Sequence, residues 1–591
     1  MKVNEQYREV KKWFESAVTY EGEPYVVDLE QAAAIADPHK NTIVVARAGS
    51  GKTRTIVAKI VYLVAKCGVK PDAIMAFVFN NNAAREINLR LSKMMVDGRP
   101  VMEGARVAQT FHAFARRLVY DICGGKEKCG KILVADREDF AFAVIYQVLK
   151  DVKNLEKLRR LVHGDDKKAQ LTTEEKRHFA RMMVMFINRA QQKYLGEEEK
   201  MRAEVEARLH DDSTPEREKV FLELGLECYT RYHQCLLNPK MRQTLRLGKG
   251  DTAKHFDEYG TDFNLVLAWA SKLISSGRDE VMAMLRDKKY ILVDEYQDFS
   301  QLFLSVVQAI REIRPEIKLF VVGDDWQAIN RFAGSDVEYF RGFEKVFPED
   351  AVRLSITTNY RCDREIVEMA RKFMKKAMRE KGDFRAFSKK EGRVMVVNPA
   401  GVEVRTALTD YDTRARAEDM MYQKVAKRIL GMPAKPATVR YIKLLAQLIL
   451  DNAMTKSILI LHRNNETNIE GARLDRLNDG LREIVVRSGA MAVEEYDDKV
   501  RMMTMHKSKG LEAEVVIILE ADAGVIPKLH PDTRLYALFG ENDEASLDDQ
   551  KRLFYAAMTR AKKRLYIIHS KASDEGFMKF LPKNTEKWVD F

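Results

Sequence analysis

The sequence predicts an α/β protein with two parallel sheets and a long helical insertion in the first of them. Three observations predict this. The chain has 591 residues, too many for one core and enough for about three to five folding units. Short apolar strand runs alternate with helical runs at both ends of the chain, the pattern of a parallel sheet covered by helices. Between the two alternating regions, residues 113–285 are charge-rich and keep a helical period, with "DKKAQLTTEEKRH" and "LGEEEKMRAEVEARLHDD" as solvated stretches.

The elements follow in order. "NTIVVA" (41–46) reads as a buried strand and "KTRTIVAKIVYLVAK" (52–66) as a helix with one apolar face. "AIMAFVF" (73–79) is a second strand and "NAAREINLRLSKMM" (82–95) a second helix. After the insertion the alternation resumes with strands in "KKYILVDEYQDF" (288–299) and "IKLFVVGDD" (317–325). The second region starts near residue 352, with strands in "GRVMVV", "SILILH", "RMMTM", "EVVIIL" and "RLYII".

Composition narrows the class. Apolar residues at 46% and charged residues at 32% fit a globular protein and not a disordered one. No apolar run approaches the ~18 residues of a membrane helix, and the amphipathic start "MKVNEQYREVKKWFESA" has no signal-peptide core. The expected compartment is therefore the cytoplasm, at the nucleoid in a prokaryote, with no membrane partner. A net charge of +12 is compatible with a polyanion partner and equally with a merely basic surface. Six cysteines make no disulfide framework. Cys123 and Cys129, with Cys228, His233 and Cys235, lack tight metal-ligand spacing, so reduced structural thiols are expected rather than a metal centre.

One short stretch carries chemistry. "ARAGSGKT" (46–53) joins a strand to a helix through a glycine-rich turn, although Ala46 stands where a phosphate-binding loop often has its first glycine. Backbone N–H groups of such a turn, and the helix N-terminus, face a β-phosphate. Lys52 offers a point charge to the β- and γ-phosphates, and the Thr53 hydroxyl suits Mg²⁺. Gly49 and Gly51 permit the close backbone approach. Ala46 only ends the strand, where any small residue suffices. A later buried strand, "YILVDEYQD", ends in Asp294 and Glu295. Asp294 is suited to ordering Mg²⁺ and Glu295 to polarising the attacking water as general base. Hydrolysis also needs positive charge on the γ-phosphate. Arg361 in "TTNYRCD" and Arg560 in "FYAAMTRAKKR" are the candidates, each an ordinary surface residue on spacing alone.

The order of these motifs resembles superfamily 1 DNA helicases of the UvrD/Rep/PcrA type, with "GDDWQAINRFAG" most similar to the helicase IV branch. The resemblance covers residues 28–565 through "DLEQAAAI", "ARAGSGKTRT", "FVFNNNAAREI", "QTFHAFARRL", "VDEYQDFS", "VVGDDWQAINRFAGSD", "NYRCDREI", "MTMHKSKGLEAEVV" and "KRLFYAAMTRAKKRL". It implies two RecA-like motor domains with ATP between them. It also implies that alanine at the first loop position is ordinary.

On the matching positions it implies that Gln31 reads adenine, with Ala46, Arg47, Ala48, Gly49, Ser50, Gly51, Lys52, Thr53 and Arg54 around the phosphates. Tyr360 would stack on the base and Glu512 meet the ribose. Gln327 would sense the γ-phosphate, reached by Arg361 and Arg560. Phe79, Asn81, Thr110, His112, Phe332 and His506 would touch single-stranded DNA. Asn330, Ala333 and Asn82 depart from residues common in the family, and each removes a possible DNA contact.

The resemblance also frames the layout. Residues 1–112 and 286–352 are expected to form the first motor domain, 113–285 a 1B-like helical insertion, and 353–591 the second motor domain. Only about 35 residues separate "SILILHRNN" from "RMMTMHKSKG", so the 2B accessory domain is expected to be absent or reduced to about 466–500. The implied function is an ATP- and Mg²⁺-dependent 3′→5′ helicase. It would act as a monomer on single-stranded and forked DNA in repair, replication or recombination. A single-strand translocase that displaces proteins but unwinds little is the second reading, and a nucleic-acid scaffold without turnover the third.

Overall fold

Parallel strands buried on both faces read as near-continuous apolar runs. Among the described residues eleven strands form two sets, and most are such runs, the edge strands Ala108–Thr110 and Ala351–Ile356 being the more polar exceptions. The computed structural model describes residues 5–133, 137–166, 168–247, 254–379, 382–399, 413–570 and 576–581. The first set is β1 (Asn41–Ala46), β2 (Ile74–Val78), β3 (Ala108–Thr110), β4 (Tyr290–Val293), β5 (Lys318–Gly323) and β6 (Ala351–Ile356). They lie in the order β6-β1-β5-β4-β2-β3, every pairing parallel. Helix Lys52–Val61 covers one face through Ile56, Val57 and Ile60. Helices Phe111–Cys123, Phe263–Ser275 and Gln301–Ile313 cover the other through Phe114, Val266 and Ile310.

The second set is β7 (Arg393–Val397), β8 (Ile458–His462), β9 (Val500–Thr504), β10 (Ala513–Ile518) and β11 (Ala561–Ile568), again parallel, in the order β7-β11-β10-β8-β9. Two RecA-like sheets of this kind are the fold that the alternating pattern predicts. A parallel strand pair needs a crossover, and helix Leu474–Arg487 supplies it between β8 and β9. Its Leu477, Leu481 and Ile484 face a core shared with helix Pro436–Leu450. The stretch 466–500, expected as a remnant accessory domain, thus belongs to the packing of the second sheet.

Two expected boundaries move. β6 pairs with β1 as far as Ile356 opposite Ala46, so residues 353–356 belong to the first sheet rather than the second motor domain. Helices Phe111–Cys123 and Phe263–Ser275 bury their apolar faces on the first sheet, so the insertion with a core of its own is shorter than 113–285. That core is built by helices Arg137–Val148, Thr173–Tyr194 and Glu216–Leu237, through Phe140, Phe186, Phe221 and Tyr232. Cys228 and Cys235 are buried in it. Among the described residues no group of three His, Cys, Asp or Glu could hold a metal ion, and no helix is long and apolar enough to cross a membrane.

Candidate nucleotide and nucleic-acid site

In open parallel sheets, ligands bind beyond the carboxyl ends of the strands. The chain collects its polar residues there. The turn after β1 runs Arg47–Gly51 and enters its helix at Lys52. Gly49 (φ +69) and Gly51 (φ +85) hold left-handed conformations that favour glycine. A Cβ on Gly49 would lie 2.6 Å from Asn359 Nδ2 and 2.7 Å from Arg361 Cβ, and one on Gly51 2.9 Å from Gln31 Nε2. Both glycines are therefore required by close neighbours as well as by backbone angle.

Beyond β4, Asp294 is buried. Its Oδ2 accepts from Thr53 Oγ1 at 3.1 Å, and its Oδ1 from the Glu295 N–H at 2.9 Å. Glu295 adopts φ +53, a left-handed angle that non-glycine residues rarely hold and that clusters at functional sites. Its side chain remains 32% exposed and lies 3.7 Å from Lys52 Nζ, while Gln297 Nε2 donates to its Oε2 at 2.5 Å. The two carboxyls are driven apart in acidity. Burial, and then the Glu295 charge, push Asp294 well above the usual carboxylate range. Burial acts the same way on Glu295, but the Lys52 and Lys509 ammonium groups overcome it and hold Glu295 below that range. Glu295 therefore stays ionised at neutral pH, while Asp294 holds its proton more tightly than an ordinary aspartate.

Gln327 follows β5 and is buried. Its Nε2 donates to Asp324 Oδ2 at 2.6 Å, and its Oε1 accepts from Arg560 Nη2 at 3.0 Å. Arg560 comes from the second sheet and is itself buried. Burial and the nearby Arg361 guanidinium push it down to about 10, so it remains a cation at neutral pH. Arg361 donates from Nε to Glu512 Oε2 at 2.7 Å and from Nη1 to the Thr559 carbonyl at 3.3 Å. Burial raises the Glu512 carboxyl, but Lys562 and Arg361 outweigh it and hold Glu512 below the usual range. The structure thus brings Lys52, Thr53, Asp294, Glu295, Gln327, Arg361 and Arg560 around one cleft between the sheets.

Gln31 and Tyr360, expected to meet the base, both contact the turn after β1. Gln31 is buried and fully engaged. Its Oε1 caps the Asp28 N–H at 3.1 Å, and its Nε2 donates to the Ser50 carbonyl at 3.0 Å. Gln31 thereby ties the start of its helix to the turn after β1. Arg54 stacks over Tyr25 at 4.2 Å and donates to the Val26 carbonyl at 2.7 Å. Tyr360 is 41% exposed, beside Phe387 at 4.8 Å between ring centres, with its hydroxyl hydrogen-bonded to Asp28. The Arg47 guanidinium pairs with Asp324 at 2.8 Å and Asp325 at 2.6 Å and lies over Trp326 at 3.9 Å.

Of the proposed DNA contacts, Phe79 and His112 share one aromatic group. Phe79 meets Phe303 edge-on at 5.3 Å, and His112 meets Phe263 at 4.7 Å and Phe303 at 5.6 Å. Burial, reinforced by Arg137, lowers His112 to about 4. Burial, reinforced by Arg463 and Lys509, does the same to His506. Both rings are therefore neutral at neutral pH. Thr110 caps helix Phe111–Cys123 through Oγ1, which accepts from the Ala113 N–H at 3.1 Å. Asn81 is exposed at the start of helix Asn81–Ser92. The Phe332 side chain lies outside the described residues.

Several residues that build the site were not singled out from sequence. Asn359 donates from Nδ2 to the Ala48 carbonyl at 2.7 Å. Glu30 accepts from the Thr357 N–H at 2.8 Å and the Thr357 hydroxyl at 2.9 Å. Lys509 pairs with Asp298. Each sits inside a quoted motif or next to one, yet its role depends on a partner more than 200 residues away along the chain.

The comparison with known proteins decides the family. Residues 27–348 match the UvrD/REP helicase N-terminal domain, and residues 437–572 the UvrD-like helicase C-terminal domain. The chain belongs to the UvrD/REP helicase family. It is similar to DNA helicase IV of Escherichia coli, 24% identical over 557 residues, covering 93% of this chain and 69% of that protein. It is also similar to DNA helicase II of the same organism, 26% identical over 343 residues, covering 58% of this chain and 39% of the other. ATP-dependent DNA helicase PcrA of Leuconostoc citreum is 25% identical over 341 residues, covering 58% and 38%. The family is one of ATP-dependent DNA helicases, and this chain is an enzyme of that class.

Proposed function

We propose that this UvrD/REP-family helicase translocates 3′→5′ on single-stranded DNA and separates forked duplexes as a monomer, in repair, replication or recombination. The first sheet with its helices forms one motor domain and the second sheet the other, hinged at Thr357–Cys362. The observation that carries the reading is the Arg560–Gln327 contact at 3.0 Å. It ties a cation of one sheet to the residue beyond β5 of the other, at the mouth of the phosphate loop. A triphosphate bound there would be held by both domains, so its hydrolysis would change their relation.

The chemistry follows from the carboxylate pair. Glu295 takes a proton from water as the water oxygen attacks the γ-phosphorus. The bond from that phosphorus to the β,γ-bridging oxygen breaks, and ADP and inorganic phosphate leave. Lys52, Arg361 and Arg560 face the charge that builds on the γ-phosphoryl oxygens. Thr53 Oγ1 and Asp294 Oδ2, 3.1 Å apart, are hard oxygen donors that fit Mg²⁺. When bound, it would neutralise phosphate charge.

Direction has to come from hydrolysis. Parting one base-pair step costs about 1.4 kcal/mol, and one stacking ring offers about 1–3 kcal/mol, so binding alone cannot sustain unwinding. The polarity and the monomeric state rest on the resemblance to UvrD/Rep/PcrA-type enzymes. The test is unwinding of tailed duplexes of each polarity, alongside ATP turnover with and without single-stranded DNA. The reading requires unwinding from a 3′ tail and stimulated turnover. Turnover that ignores DNA refutes it. Stimulated turnover without strand separation favours the translocase reading, which the short 466–500 segment supports because it leaves no accessory domain there for the duplex.

A further inference from the structure

Residues 530–541 leave the second sheet after β10 and dock into the helical insertion of the first. Leu535, Tyr536 and Leu538 are buried in the insertion core. Tyr536 lies 5.2 Å from Phe221, and its hydroxyl donates to the Met182 carbonyl at 3.0 Å. Lys193 Nζ donates to the Leu538 carbonyl at 2.8 Å, and Arg217 pairs with Asp532 at 2.7 Å. This segment ends at Glu541, one residue before Asn542 caps helix Asp543–Met558.

Glu541 is nearly inaccessible, its side chain 9% exposed, and it joins three parts of the molecule. Its carboxylate pairs with Arg189 of the insertion, also 9% exposed, and accepts from Arg331 Nε at 3.3 Å. Arg331 Nη2 donates to the Gly540 carbonyl at 2.6 Å. Arg331 stands four residues after Gln327. From the insertion, Gln192 Nε2 donates to the Ala333 carbonyl at 2.8 Å. A Cβ on Gly334 (φ +90) would fall 1.0 Å from Gln192 Oε1, so only glycine lets the turn close against that side chain.

The two ends of one helix therefore grip the same short segment. Arg560, just past the helix end at Met558, holds Gln327. Glu541, just before its start, holds Arg331. Sixteen helical residues make a strut about 24 Å long, and near its Arg560 end Tyr555 meets Trp326 edge-on at 5.4 Å.

We infer that Glu541 is a positioning residue that fixes the Asn330–Gly334 turn between the second sheet and the helical insertion, and so couples closure of the nucleotide cleft to the grip on single-stranded DNA. This rests on the function proposed above. A helix displaced at its Arg560 end must move its Glu541 end as well. A charge pair closed off from water transmits such a displacement, since leaving Arg189 unpaired there is costly.

The test uses the full-length protein with Glu541→Gln and Glu541→Ala, and Glu541→Asp as the conservative variant. ATP turnover is measured alone and with an oligo-dT single strand. The inference expects DNA-free kcat and KM for ATP within about twofold of wild type. It expects stimulation by the oligonucleotide to fall about tenfold or more in Gln and Ala, and to be largely kept in Asp. Unchanged stimulation overturns it. So does a proportional loss of DNA-free and stimulated turnover with a lower melting temperature, which marks a purely structural role. Wild-type protein that shows no stimulation at all would instead defeat the parent reading.

Discussion

Arg560 of the second sheet and Gln327 of the first share a hydrogen bond of 3.0 Å, closed off from solvent on both sides. Arg560→Ala should lower DNA-stimulated kcat by about 10³–10⁵-fold, the range for an arginine that meets γ-phosphoryl charge, with little change in KM for ATP. Steady-state kinetics across ATP concentrations check this. A rise in KM at constant kcat would assign Arg560 to ground-state binding.

Lys52→Ala and Glu295→Gln should each abolish turnover, by about 10²-fold or more, while binding of a fluorescent single strand persists. Lys52 and Glu295 contact each other and the phosphate loop, whereas Phe79 and His112 lie in a separate aromatic group. Anisotropy titrations measure the binding. Loss of DNA affinity in both variants would contradict this separation of labour.

Asp294 predicts a pH signature. Its folded pKa is raised by burial and by Glu295, so the fold favours the protonated carboxyl. That contribution is present at acid pH and is lost as pH rises from the ordinary Asp range toward the raised value. With chelator present, the melting temperature should therefore fall across this window, and Asp294→Asn should flatten the slope. Added Mg²⁺, which needs the ionised carboxylate, should restore stability on the alkaline side. Thermal melts over pH, with chelator and with Mg²⁺, provide the measurement.

DNA affinity should fall linearly on a log–log plot against salt, as release of counterions from phosphates requires. His112, lowered to about 4, is neutral from pH 6 upward, so His112→Gln should leave that salt slope unchanged. Phe79→Ala should weaken binding by about 1–3 kcal/mol, the cost of one lost base stack. Equal affinity for Phe79→Ala would return that ring to the core it shares with Phe303.

Much was legible because it is local. The phosphate loop, the Asp294–Glu295 pair and the strand runs declare themselves through residue type and spacing, and "YILV" before two acids predicts a buried strand with its carboxylates at one end. Asn359, Glu30 and Glu541 were not legible as site residues. An asparagine, a glutamate at a helix start and a glutamate before a helix cap are common anywhere, and nothing near them in the chain names Ala48, Thr357 or Arg189 as the partner. Gln31 was legible as a motif residue, but not its commitment to Ser50 and Asp28.

Residue type and spacing specify the two parallel sheets, the helices between them and the chemical inventory of the cleft, because hydrophobic period and motif spacing act over a few residues. Long-range packing places residues 353–356 in the first sheet, brings Leu535, Tyr536 and Leu538 into the core of the insertion, and lets one helix brace Gln327 and Arg331 together. Those outcomes depend on burial shared between segments hundreds of residues apart. Burial of that kind is set by how whole surfaces fit, which no short stretch of chain encodes.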